Sequence, residues 1–85
     1  MPDRPDPAIF RAAIFETVDN QLRDGYPPET RQTLERLMAE GHSRQEARRL
    51  IGLVVASEIF AVFKEQRPFD EPRFVASLRR LPEPP

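Results

Sequence analysis

The side chains able to do chemistry are few. There is one histidine, His42, three serines, Ser43, Ser57 and Ser77, and no cysteine. A hydrolytic triad needs a nucleophile held by a base that an acid orients in turn. Ser43 adjoins His42 but stands where a helix must be capped, and His42 falls in the turn before it. A carboxylate-bridged metal pair in a helical bundle uses Glu-x-x-His repeats. The sequence has none, and Glu16 and Asp19, which share a helix face, read as solvated charges. The only glycines are Gly25, Gly41 and Gly52, which make no phosphate-cradling loop. No catalytic residue, metal ligand or cofactor is therefore expected, and the chain reads as a non-enzyme.

Two features resist that dismissal. Glu58 falls on a helical wheel between Val54 and Val62, inside an apolar face. A buried carboxylate is costly unless it is paired or hydrogen-bonded. Arg11 sits among apolar neighbours on the first helix and is the partner the sequence suggests. The pair reads as a structural ion pair, and the competing reading is an acid tuned by burial. The second feature runs from Met38 to Leu50: helix, glycine, cap, then helix with an early alanine. That is the outline of a helix-turn-helix, with Arg44, Gln45, Arg48 and Arg49 at the start of a recognition helix. The first turn also loosely resembles ubiquitin-associated domains. Both families use a shorter second helix than this chain has, and a net charge of -1 offers no general attraction to nucleic acid or to an anionic membrane.

These residues are carried by helices. Apolar positions recur at helical spacing, and no segment alternates with period two. The spacing predicts an all-α bundle in one domain over residues 1–85, with helices at about 7–23, 28–40, 44–66 and 71–80 and short, flexible, proline-rich ends. Asp6 caps the first helix ahead of Pro7, and Ile9, Phe10, Ala13, Ile14, Val18 and Leu22 make its apolar positions. Gly25 ends it. Leu34, Leu37 and Met38 face inward from the second, which Gly41 closes. Ser43 and Glu46 form a capping box for the third: the serine oxygen takes the Glu46 amide, and the glutamate reaches back. Asp70 caps the fourth, whose buried stripe is Phe74, Val75, Leu78 and Leu81. The ten prolines fall at the ends and joints of these elements, where they are tolerated.

The third helix is apolar around most of its girth. Ala47, Leu50, Ile51, Val54, Val55, Ile59 and Val62 form one broad face, while Leu53, Ala56, Phe60 and Phe63 lie on another. Such a helix belongs at the centre of the bundle. Three flanking helices leave the second face open, so Leu53, Ala56, Phe60 and Phe63 form the candidate interface for a homodimer or a helical protein partner. The alternative is that the fourth helix folds over this stripe, bringing Phe74 and Leu78 to Phe60. No apolar run approaches membrane-spanning length, no basic start precedes an apolar leader, and the absence of cysteine fits a reducing compartment. A cytoplasmic chain is expected.

The stretch from Val18 to Leu81 resembles a family of small bacterial helical proteins without an assigned activity. Asn20-Gln21-Leu22, Pro27-Pro28 and Thr33-Leu34-Glu35-Arg36-Leu37 carry the likeness, with Gly41, Glu46-Ala47, Ile51-Gly52, Glu58-Ile59 and Phe69-Asp70. The resemblance implies the helical fold. Some members have histidines where this chain has Arg11, Phe15, Gln45 and Arg49, so any metal chemistry of theirs is absent here. The functional reading is a non-enzymatic interaction or structural domain. The alternative is helix-turn-helix-like nucleic-acid binding through Arg44, Arg48 and Arg49.

Overall fold

A computed structural model describes residues 6–85, all of it helix and connecting turns, with no strand among them. The expected tail, Met1 to Arg4, lies outside these residues. Helix α1 spans Pro7–Asp24, α2 Pro28–Ala39, α3 Arg44–Glu65 and α4 Glu71–Arg80. The caps decide the boundaries. The Asp6 side chain accepts from the Ala8 amide at 2.9 Å, satisfying one of the four amides a helix start leaves open. Gly25 adopts the left-handed conformation and returns its own amide to the Gln21 carbonyl. That closure is available to glycine without a Cβ clash. At α4, Asp70 accepts from the Arg73 amide at 3.1 Å, with Pro72 in the first turn.

The box at the start of α3 forms by half. Ser43 Oγ accepts from the Glu46 amide at 3.0 Å. The Glu46 carboxylate does not reach back; it takes a two-pronged contact from Arg49 at 2.7 and 3.0 Å. A guanidinium one turn away offers two charge-assisted bonds against the single neutral one of the box. The serine cap remains. Ser43→Ala should lower stability by about 1 kcal/mol, read as a shift in the urea midpoint at unchanged slope. An unaltered midpoint would show that the cap carries no stability.

α3 is the axis of the bundle, meeting each of the other three helices. Its own Ile51 and Val54, with Val18, Leu37, Phe74 and Leu78 from the surrounding helices, are the largest fully buried apolar side chains. α1 runs antiparallel to α3: Asp19 meets Arg48, Ile14 meets Gly52, and Phe10 shares a surface cavity with Ala56. Gly52 faces α1, where a Cβ would meet Ile14 Cγ2 at 3.4 Å and the Phe15 ring at 3.6 Å, ordinary packing distances. α2 has 12 residues against 22 in α3, so it covers only part of that helix. Two arginines of α2 tie the elements together. Arg31 donates to the Leu22 carbonyl at the end of α1. Arg36 donates to the Leu78 and Leu81 carbonyls at the end of α4, at 3.1 and 2.9 Å. Both reach carbonyls at helix ends, where the regular helical hydrogen-bond pattern stops.

Several apolar residues expected inside are outside. Ile9, Phe10 and Met38 are exposed, as is Ala13. For the α1 residues the reason is length: α1 and α3 extend past the shorter α2 in a molecule 44 Å long and 25 Å across, which leaves that end of α1 uncovered by α2. No Cα of α1 comes within 8 Å of a Cα of α4. The space between them, over α3, is an open groove.

Candidate functional site

The structure places the candidate residues in three adjoining regions, with Phe63 bordering both the first and the third and Arg11, Phe15 and Arg49 bordering both the first and the second. The first is the far side of α3. Leu53, Phe60 and Phe63 are 43, 70 and 78 % exposed, and Ala56 is half-buried. Helix α4 does not cover them, so the alternative in which Phe74 and Leu78 shield Phe60 is not the arrangement seen. Phe10 of α1 joins this face, lining one cavity with Leu53 and Ala56. Together the four larger side chains expose roughly 500 Å² of apolar surface, taking about 200 Å² for a whole aromatic side chain. The largest apolar patch on an ordinary monomer is about 300–600 Å² and is commonly functional.

The second region is the start of α3. Arg11, Phe15, Gln45 and Arg49 are far apart in sequence, but they line one surface cavity of about 260 Å³ with Ser43, Glu46 and Arg48. No imidazole enters it, and among the described residues no cluster of acidic or histidine side chains could hold a metal ion. Its guanidiniums are largely committed. Arg48 grips Asp19 with two bonds at 2.7 and 2.8 Å and lies 4.4 Å above the Phe15 ring. Arg49 grips Glu46. A recognition helix needs such donors free for base edges and phosphates; here two of the three candidate arginines are turned onto carboxylates of their own chain.

These pairs fix the acid behaviour. The hydrogen bond from Arg48 holds the Asp19 carboxyl below its ordinary 3.8. Hydrogen bonds from Arg49 and Arg67 hold Glu46 and Glu65 below their ordinary 4.5. A carboxyl depressed on folding stabilises fully above its unfolded value, and the contribution disappears as pH falls through the folded value. Stability should therefore decline as the medium is acidified below these ordinary values, and added salt should reduce the decline because the pairs are exposed. Urea midpoints measured from roughly pH 6 down to pH 2 check this; a midpoint constant over that span would remove the pairs from the account.

The third region surrounds Glu58, which is buried as expected at 6 % exposure. Its partner is not Arg11. Arg11 is exposed on α1, and among the described residues it makes no ion pair with Glu58. The partner is Arg67, whose Nη1 donates to Glu58 Oε1 at 3.1 Å, joined by the Asp70 amide at 3.3 Å. Helix periodicity could not find it, because Arg67 lies beyond the end of α3. Gln66 takes a left-handed conformation and turns the chain back, so that Arg67 returns along the last turns of the helix. Arg67 also bonds Glu65 at 2.8 Å and the Pro68 carbonyl at 3.0 Å. Glu58 lines the groove between α1 and α4, about 330 Å³ in volume, with Thr17, Gln21, Val55, Ile59, Val62, Phe63, Phe69 and Phe74. Nothing in the sequence signalled the groove, which exists because two helices fail to meet.

Comparison of the chain with protein-family models, with curated proteins and with solved structures gives no match. Among the described residues no helix is long and apolar enough to cross a membrane.

Proposed function

We propose that the chain is a non-enzymatic interaction domain that pairs with a second copy through the Leu53–Phe63 face of α3 and the adjoining Phe10 of α1. The observation that carries this reading is the contiguous apolar stripe, with Phe60 and Phe63 turned outward at 70 and 78 % exposure. A stable interface takes about 800 Å² from each partner. The stripe supplies much of that before any polar rim is counted. Two-fold pairing lets one surface serve both partners, and an α1–α3 pair laid on its copy makes a four-helix layer with the aromatic side chains inside.

Nucleic-acid binding through Arg44, Arg48 and Arg49 has less support, since Arg48 and Arg49 are held by Asp19 and Glu46. The cysteine-free composition fits the cytoplasm. Membership of the small bacterial helical family is part of the same proposal and adds no activity to it.

Sedimentation equilibrium at micromolar concentration tests the pairing. The expected mass is that of a dimer, and Phe60→Glu should return a monomer with unchanged helicity by circular dichroism. A monomeric mass for the unsubstituted chain would refute the dimer.

A further inference from the structure

We propose that the cleft between α1 and the first half of α3 binds a small amphiphilic anion, a carboxylate carried on a hydrocarbon tail. The inference goes beyond the pairing of two copies and needs only one of them. Two cavities, about 250 and 260 Å³ in volume, border each other along Arg11, Phe15 and Arg49. Neither alone reaches the roughly 300 Å³ at which small-molecule pockets begin, but together they form a trough that does. Its two ends differ in chemistry. One is apolar, walled by Phe10, Ile14, Leu53 and Ala56. The other is polar and holds Ser43, Gln45, Glu46 and Arg48.

The charges select the sign of the ligand. Three guanidiniums, those of Arg11, Arg48 and Arg49, line the polar end against one carboxylate, Glu46. Arg49 matches Glu46, and Arg48 is matched by Asp19 of α1. Arg11 is left over: among the described residues it enters no ion pair. Its own helix offers it none, since Pro7, Ala8, Ile14 and Phe15, the neighbours one turn to either side, are uncharged. The paired guanidiniums are not exhausted either. Arg48 and Arg49 each direct Nε and Nη2 at their carboxylates, and among the described residues neither Nη1 has an acceptor. Planar donors of this kind match the two oxygens of a carboxylate. A cation would meet an excess of positive charge. A neutral hydrocarbon would fill the apolar end and gain nothing from the guanidiniums, whereas an inorganic anion would leave the apolar end unfilled. An amphiphilic carboxylate answers both ends.

The test uses the full chain, labelled at its methyl groups, titrated with three probes of one shape. These are octanoate, octylammonium and octan-1-ol. Octanoate should shift the Ile14 and Leu53 methyl resonances saturably and bind at least about tenfold more tightly than octylammonium, the effect of one charge-assisted hydrogen bond. Arg11→Gln, at an exposed position, should erase the preference for octanoate over the alcohol. Ala56→Phe, at a half-buried position in the apolar wall, should abolish binding of all three, and Arg11→Gln carries the test alone if that variant fails to fold. Phe60→Ser removes a ring from the pairing face and none from the lining, so it should leave octanoate binding intact whether or not the chain pairs. Absence of saturable shifts at millimolar octanoate would overturn the assignment. So would equal binding of octylammonium, a preference that survives Arg11→Gln, or shifts confined to Val55 and Val62 in the groove beside α4.

Discussion

Phe74→Ala should cost about 3–5 kcal/mol, in line with other fully buried aromatics cut back to alanine. Phe74 is 1 % exposed and belongs to the cluster formed with Val18, Ile51, Val54 and Leu78. It is the largest of the fully buried side chains and one of three residues by which α4 and its end enter the core, with Leu78 and Leu81. A domain of this length holds only about 0.05–0.15 kcal/mol of stability per residue, so the loss is comparable with the whole. Two outcomes accord with the structure: complete unfolding, or a folded remnant in which α4 has detached. Amide exchange distinguishes them, since a detached α4 would lose protection over Glu71–Arg80 while α1 and α3 kept theirs. A loss below about 1 kcal/mol would mean that the side chain is not buried as described.

Glu58→Ala should be the second most damaging change, at about 2–3 kcal/mol. It removes a side chain from a buried site and leaves the Asp70 amide without an acceptor, at the point where the loop enters α4. Glu58→Gln keeps an oxygen for that amide and for Arg67, so its cost should be well under half as large. Arg67→Met should also destabilise, because it strips a buried carboxylate of its counter-ion while keeping an apolar stem of similar length. The decisive measurement is the combination. Glu58→Leu with Arg67→Met removes both charges together and should be more stable than Arg67→Met alone, since apolar replacement of a buried pair is commonly neutral or better. Urea unfolding of these variants together with Glu58→Leu alone completes the cycle and gives the coupling. If the double variant were no more stable than Arg67→Met, the two side chains would not act as a pair.

Much of the architecture follows from local rules, and those rules are written in the residues. Asp6, Ser43 and Asp70 each offer an oxygen three residues or fewer ahead of an open amide, and each starts a helix where that oxygen stands. Gly25 and the proline joints end or separate helices because backbone geometry leaves no other choice. The apolar girth of α3 required a central position, and it holds one. The burial of Glu58 was likewise legible, from its place between Val54 and Val62. What the sequence left open were matters of distance between elements. Arg67 reaches Glu58 only because the chain reverses at Gln66. Arg36 caps α4 across a separation of more than forty residues. Helical spacing marks Ile9 and Phe10 as apolar, but whether another element lies opposite them depends on the relative lengths of α1, α2 and α3. The groove and the exposed Phe60 stripe share that cause. Periodicity describes one helix at a time, whereas a gap belongs to the arrangement of several: α4 reaches one side of α3, α1 the other, and the two never meet.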